Sequence, residues 1–392
     1  MELSQRIQSV RSSPTLAITA KARALRDAGV DVISFAAGEP DFNTPAPICD
    51  AAIEAIARGE TKYTASAGLP ELRQAIARTV VSRTNSKVEP AQVVLSCGAK
   101  HSVYNACQAV LNPGDECILL APFWMTYQDQ VVLTGATPVI VQGWADTGFV
   151  PSIEDVRAAI TPRTRALIIN SPSNPTGAVL PRAFLKEVAA LALKHDLWLI
   201  SDEIYDQLVY DGASHESIYG LGEEVRNRTI YINGFSKTYA MTGWRLGYAV
   251  APKAVATAMS NLQDQVTSNP TSFAQFGAMA ALELPAEDVA AMRDEFDARR
   301  RLIVGGLNDV PGFTCPTPGG AFYAFPDVRP LLGGVFADDA ALAEYLLEEA
   351  HVAVVPGSVF NGAGHLRLSY ATNQDNIREG LARIHRAISK VR

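Results

Sequence analysis

Apolar runs of strand length recur through the middle of this chain, each closed by glycine or a polar turn and separated by enough residues for one helix. VVLSCG, CILLA, TPVIVQG, TRALIIN, DLWLISD and TIYIN follow one another between Val93 and Asn233. Runs this continuously apolar suit strands covered on both faces. Helical periodicity fills the gaps: after Gly98 the apolar residues Val103, Ala106, Cys107 and Val110 share one face, and FLKEVAALALKH precedes DLWLISD. The pattern predicts an α/β fold with a mixed, mostly parallel sheet. In such a sheet the strand ends that carry polar residues are where ligands gather.

The pattern changes from about residue 286 to long amphipathic helices and short strands. One helix carries Val289, Met292, Phe296, Ile303 and Leu307; the last carries Ile377, Leu381, Ile384, Ile388 and Val391. We read residues 1–44 as an arm that joins part of a smaller unit, 45–285 as a large domain and 286–392 as a small C-terminal domain. The chain shows no repeat, low-complexity tract or Gly/Ser-rich linker. Arg299, Arg300 and Arg301 fall inside a helix pattern and are expected to form a solvated or salt-bridged face.

Composition excludes several classes. With 48% hydrophobic and 19% charged residues the chain of 392 is not disordered. No apolar run approaches the ~20 residues of a membrane span, and the polar first residues lack a secretory core, so a cytoplasmic protein without membrane partners is expected. A net charge of −7 without a basic tract gives no case for nucleic acid. Cys49, Cys97, Cys107, Cys117 and Cys315 contain no C-x-x-C and are expected to be reduced, most of them small core residues, with no metal site.

The most informative stretch is GFSKTYAMTGWRLG, residues 234–247, lying between TIYIN and GYAVAP. It places Lys237 at a strand end, with Ser236 before it and Arg245 after it. A lysine there can hold an aldehyde cofactor as an imine, while the arginine neutralises a phosphate. This string resembles the cofactor attachment site of the class I pyridoxal-phosphate-dependent aminotransferases, in which the lysine carries pyridoxal 5'-phosphate and the arginine binds its phosphate. One departure is visible: many relatives have serine where this chain has Gly234, so a phosphate hydroxyl is missing and Ser236 is the neighbouring substitute.

Other segments resemble the family's motifs in the family's order. The glycine turn and helix start at Gly98, Ala99 and Lys100 form an anion site in principle, because backbone N–H groups and the positive dipole end point outward; the resemblance implies the cofactor phosphate there. Trp124 matches the aromatic stacked on the pyridine ring, although on its own it is equally a core tryptophan. NSPSNPTG resembles the N-x-P-x-N-P-T-G motif, implying that Asn174 bonds the cofactor's phenolic oxygen together with Tyr205. Asp202 matches the carboxylate that keeps the pyridine nitrogen protonated, and thereby the ring an electron sink. Tyr63, in KYTASAGLPELRQAI, matches a tyrosine that reaches the phosphate bound to the other subunit. Gly38, in AAGEPDF, matches the backbone beside the substrate carboxylate. Arg367, unusual inside the apolar alternation LRLSY, matches the arginine that binds the α-carboxylate.

The resemblance therefore implies fold type I, with a large α/β domain, a smaller α+β domain built from both chain ends, and a homodimer with shared active sites. It implies amino-group transfer between an L-amino acid and a 2-oxo acid by a ping-pong mechanism. QDQVTSNPTSF lacks the distal-carboxylate arginine of the enteric-type aspartate enzymes. Thr15 and Lys100 instead match the threonine and lysine of the bacterial and plant aspartate/prephenate subgroup. That favours aspartate or glutamate as donor, with 2-oxoglutarate, oxaloacetate or prephenate as acceptor. Without the resemblance, Thr15 reads as a helix cap and Lys100 as a solvated charge. Aromatic or kynurenine-type transamination, or a carbon–sulfur β-lyase, would use the same Lys237, Asp202 and Arg367. A ligand-sensing regulator on this fold would need an added DNA-binding segment, of which the sequence shows no sign.

Overall fold

The structure, a computed structural model, describes residues 3–10 and 14–391. Twelve strands run in chain order: β1 (Ile33–Ser34), β2 (Val93–Ser96), β3 (Glu116–Ala121), β4 (Thr137–Gln142), β5 (Thr164–Asn170), β6 (Trp198–Asp202), β7 (Thr229–Gly234), β8 (Gly247–Val250), β9 (Tyr323–Ala324), β10 (Val352–Ala353), β11 (Val355–Pro356) and β12 (Leu366–Ser369). The seven strands β2 to β8 form one sheet in the order β2-β8-β7-β6-β5-β3-β4. Only β8 runs against its neighbours, pairing antiparallel with both β2 and β7. The other pairs are parallel.

Helices cover both faces of this sheet, which is why its inner strands are apolar throughout. The inner strands β7 and β8 are buried along their whole length, as is the edge strand β2, whereas the opposite edge strand β4 includes exposed positions. Ser96, Asn170, Asp202 and Gly234 all end parallel strands and thus lie along one edge of the sheet. Asp202 closes its strand as the sequence suggested, but Tyr205 lies three residues beyond it in the turn.

The smaller sheets tie the two ends of the chain together. β1 pairs with β10, Ile33 opposite Val352, and β11-β12-β9 form an antiparallel sheet beside it. Ile33 and Phe35 share a core with Phe296, Ile303 and Leu307 of the helix Ala286–Asn308 and with Ile377, Ile384 and Ile388 of the helix Gln374–Val391. The arginine run is salt-bridged, and two of its three members are buried. Arg299 and Arg300 are buried, paired with Asp41 and Glu295 and with Asp211 and Asp297 respectively; only Arg301 faces outward. Buried guanidinium groups need such partners.

Two glycines matter for placing the site. Gly98 caps the helix Ala99–Val110 with φ +88, a conformation that side chains rarely adopt. Gly247 lies so close to this helix start that an added Cβ would come 2.2 Å from the Ala99 nitrogen. Backbone cannot rotate away as a side chain can. Gly247→Ala is therefore expected to destabilise the protein by about 1–3 kcal/mol, measured as a lower denaturation midpoint at unchanged slope. Among the described residues no helix is long and apolar enough to cross a membrane.

Candidate active site

A cavity of about 510 Å³ opens at the polar edge of the large sheet. Its walls bring together Gly38, Ala99, Lys100, Trp124, Asn174 and Asp202 from separate segments, and Tyr205, Ser236, Lys237, Arg245 and Arg367 also line it. Gly98 stands at its edge, where an added Cβ would meet Arg245 Nη2 at 2.5 Å. Two predicted positions fall elsewhere. Tyr63 is 89% exposed and outside the cavity, while the side chain of Thr15 lies outside the described residues. Thr19, from the same helix as Thr15, lines the cavity.

Lys237 follows β7 by three residues, so the strand fixes its backbone and leaves its amine to the cavity. Its Nζ donates to the Gly38 carbonyl at 2.5 Å, with the rings of Tyr205 and Phe322 5.8 and 5.7 Å away. Burial pushes its pKa down to about 8, helped by the cations Arg367 and Arg245 and opposed by Glu39 and Asp202. A lysine of that proton affinity can exchange protons near neutral pH.

Asp202 is buried, and its carboxylate accepts from the Tyr127 hydroxyl at 2.7 Å and the Ile204 N–H at 3.2 Å. No arginine or lysine among the described residues pairs with it within salt-bridge distance. Burial consequently raises its pKa to about 6 even though both hydrogen bonds oppose the rise. Between its ordinary 3.8 and about 6 the folded chain holds the extra proton, so the stability contribution of Asp202 falls as pH rises through that window. A positively charged ligand would remove that cost.

Arg367 presents the converse case. It is 3% exposed, donates to Asn174 Oδ1 at 3.0 Å and to the Ala36 carbonyl at 2.6 Å, and has no carboxylate partner among the described residues. Its Nε is buried without a hydrogen-bond acceptor. Tyr323 and Phe360 lie 4.8 Å from the guanidinium, and burial lowers its pKa. A buried guanidinium left this way calls for an anion.

The end of the cavity at the start of the helix Ala99–Val110 combines backbone with two cationic side chains. Arg245 sits at φ +53 and donates to the Thr242 and Cys97 carbonyls at 2.9 and 3.4 Å, which aims its guanidinium across the start of the helix Ala99–Val110. Lys100 Nζ stands 4.8 Å above the Trp124 ring, and desolvation followed by Arg245 lowers its pKa. A serine at position 234 would not fit without movement. A Cβ there would come 2.9 Å from the Gly247 Cα and 3.0 Å from the Leu246 carbonyl oxygen. Ser236, by contrast, lines the cavity.

Several contributors escaped the sequence reading. Tyr127 holds Asp202; Tyr323 bonds the Tyr205 hydroxyl at 2.8 Å and lies where a Gly38 Cβ would sit. Asn170 bonds the Asp202 carbonyl and the Asn174 N–H, orienting the two strand ends together. Glu39 accepts from the Thr242 hydroxyl at 2.9 Å. The one usable signal was Tyr127, in the first turn of the helix that leaves Trp124; the rest depend on tertiary placement.

The donor set fits a ligand with a phosphate at one end, a protonated ring nitrogen deep in the cavity and an aldehyde near Lys237. The chain belongs to the class I and II aminotransferases: residues 30–384 match the family described as aminotransferase class I and II. It is thus a pyridoxal-phosphate-dependent aminotransferase of fold type I. It is 48% identical over 388 residues to an aspartate aminotransferase of Geobacillus stearothermophilus, covering 98% of each chain. It is 46% identical to an aspartate/prephenate aminotransferase of Cereibacter sphaeroides, covering 97% of each. The solved aspartate aminotransferase from Thermus thermophilus with maleate superposes with a TM-score of 0.94 at 44% identity, covering 99% of this chain and 100% of that one.

Proposed function

We propose that this aminotransferase takes dicarboxylic donors, aspartate or glutamate, and returns the amino group to 2-oxoglutarate, oxaloacetate or prephenate. The observation that carries the reading is that the cavity holds, besides Lys237 and Arg245, two further cations with different surroundings: buried Arg367 at one wall and Lys100 beside Trp124. Two anion receivers suit a substrate with two carboxylates. The names of the relatives, which include aspartate and aspartate/prephenate aminotransferases, point the same way.

Pyridoxal 5'-phosphate supplies, when bound, an aldehyde that condenses with amines and a ring that accepts the electron pair left by a departing α-proton. The chain's residues do the rest. Lys237 Nζ is the attachment point; once displaced by substrate, it moves the proton from the α-carbon, as its depressed pKa allows. Asp202, kept in place by Tyr127, would hold the proton on the ring nitrogen. Tyr205 and Asn174 would bond the phenolic oxygen, Trp124 would pack on the ring and exclude water, and Gly98, Ala99, Lys100, Ser236 and Arg245 would receive the phosphate. Arg367, with Asn174 and the backbone at Gly38, orients the α-carboxylate so that the breaking bond faces Lys237. Lys100, with Thr15, receives the distal carboxylate.

The exposed Tyr63 is assigned to the phosphate in a second copy of the chain, which makes the working unit a homodimer. Arm, large domain and small domain divide at about residues 44 and 285. Five cysteines without a disulfide partner suit a reducing compartment, and the cytoplasm is the proposed location.

Lys100→Ala tests the substrate assignment. Loss of a charged hydrogen bond worth about 1.5–3 kcal/mol predicts a fall in kcat/KM of about 10- to 100-fold for aspartate and glutamate. Phenylalanine should change far less. Equal losses for all three donors would remove Lys100 from the distal site.

A further inference from the structure

Next to Asp202 in the chain, but outside the cavity wall, lies a second buried carboxylate that the chemistry leaves unused. Glu203 is 1% exposed, and among the described residues no arginine or lysine comes within salt-bridge distance of it. It accepts three hydrogen bonds instead. The hydroxyls of Ser201 and Ser217 each donate to Oε1 at 2.8 Å, and His215 Nε2 stands 2.7 Å from Oε2. A carboxylate opposite Nε2 places the ring proton on that nitrogen. His215 Nδ1 is buried without a partner, so Glu203 is what holds the imidazole. Burial opposes a charge on this ring, yet Glu203, Asp206 and Glu216 raise its pKa above the ordinary 6.5. Asp206 and Glu216 have arginines of their own, Arg83 at 2.9 Å and Arg182 at 2.5 Å, which leaves His215 to Glu203.

The place of this carboxylate in the chain gives it leverage. Ser201 and Glu203 flank Asp202, and side chains two apart at a strand end share a face. The Ser201–Glu203 bond therefore closes behind Asp202, while Tyr127 and the Ile204 N–H hold the Asp202 carboxylate from the front. The Glu203 main chain is fixed as well: its N–H donates to the Ile232 carbonyl of β7 at 2.8 Å, and its carbonyl accepts from the Asp206 N–H at 3.0 Å. A buried carboxylate with three donors is held in one place. We infer that Glu203 and His215 are positioning residues of the reaction: their carboxylate–imidazole pair, with Ser201, pins the back of this strand end and so keeps Asp202 directed at the ring nitrogen of the cofactor. The inference rests on the assignment of Asp202 to that nitrogen.

His215→Leu fills the space but removes the donor, whereas His215→Gln restores an N–H toward Glu203. The probe is pyridoxamine 5'-phosphate, which carries an amine in place of the aldehyde and forms no bond with Lys237. Equilibrium dialysis against the full chain freed of cofactor gives its dissociation constant. Loosening the support of a contact group forfeits part of that contact, so His215→Leu should raise the constant by about 5- to 20-fold, and His215→Gln by less than about threefold. In an Asp202→Asn background His215→Leu should add less than about twofold, because the side chain it positions no longer carries the charge. A general loss of packing would weaken binding equally in both backgrounds. Single turnover with aspartate adds a second readout: the rate constant at saturation should fall by about 5- to 20-fold in His215→Leu, while the apparent affinity for aspartate, set by Arg367 and Lys100 on other segments, changes by less than about twofold. Ser201→Ala removes one hydroxyl, leaves His215 against Glu203, and serves if His215→Leu does not fold; its rise of about two- to fivefold should likewise vanish beside Asp202→Asn. Equal losses in the two backgrounds, or constants unchanged in both His215→Leu and Ser201→Ala, would overturn the inference. An Asp202→Asn chain that binds the probe as tightly as the natural one would instead defeat the assignment of Asp202 to the ring nitrogen. Hydrogen–deuterium exchange of the peptide 201–206 in the cofactor-free chain, expected to be faster in His215→Leu, would then still report whether the pair pins the turn.

Discussion

Lys237→Ala should lower turnover by at least about 10⁴-fold, because it removes both the covalent attachment and the proton carrier, either of which alone is commonly worth 10²- to 10⁴-fold. Cofactor binding should survive. Arg245, the N–H groups at the start of the helix Ala99–Val110 and Asp202 do not depend on the lysine for their positions. The variant should therefore bind pyridoxal phosphate without forming a bond that borohydride can fix. Steady-state turnover and equilibrium dialysis of the cofactor measure the two halves of this expectation. A lysine with only a surface role would change stability by about 0.5 kcal/mol or less and leave turnover alone.

Asp202→Asn should produce an unusual pair of changes: a large loss of activity with a gain in stability of the cofactor-free chain. The amide retains an oxygen to accept from Tyr127 but carries no charge to hold a proton on the ring nitrogen. Loss of one preorganised electrostatic group of this kind costs about 10²- to 10³-fold in kcat. Stability moves the other way. In the cofactor-free chain the Asp202 pKa is raised to about 6, so its charge is a cost that is fully present above pH 6 and absent below its ordinary 3.8. The variant should be the more stable protein at pH 7 and lose that advantage as pH falls toward 4. Single-turnover absorbance with an amino acid and urea unfolding at pH 7 and pH 4 give the two readouts. An active variant, or one with the same stability difference at both pH values, would contradict the placement of Asp202 as an uncompensated buried anion.

The fold was largely legible because its strands carry their own evidence. TRALIIN and TIYIN are apolar on both faces since helices cover both faces, and the residues that close them had to be polar for another reason. Those closing residues became the site. What the sequence could not show was which side chains meet across the cavity. Tyr323 comes from a two-residue strand too short for any pattern, yet it occupies the space opposite Gly38. Glu39 sits in a turn-rich stretch where an acidic residue is unremarkable until Thr242 is placed beside it. The arginine run could not be decided either. Charge left solvent and salt bridges both open, and Asp41, Asp211, Glu295 and Asp297 supply enough carboxylates to bury two of the three. Gly234 needed the structure as well, since the close backbone of Leu246 and Gly247 explains why a side chain is absent there.

The electrostatic plan of the cavity sets two buried charges, Asp202 and Arg367, beside the exposed Arg245 and leaves them for ligands to complete. Among the described residues Asp202 has no cation within salt-bridge distance and Arg367 has no carboxylate partner, while Arg245 donates to backbone carbonyls. Such an arrangement costs stability in the empty protein and is repaid on binding. Cofactor and dicarboxylic substrate should accordingly each raise the unfolding temperature.

The most direct measurement is the absorbance of the loaded protein mixed with L-aspartate and no oxo acid. The account predicts loss of the yellow absorption with release of one oxaloacetate per cofactor, and its return when 2-oxoglutarate is added. Yellow absorption that persists unchanged through additions of aspartate and glutamate, with no oxo acid released, would contradict it.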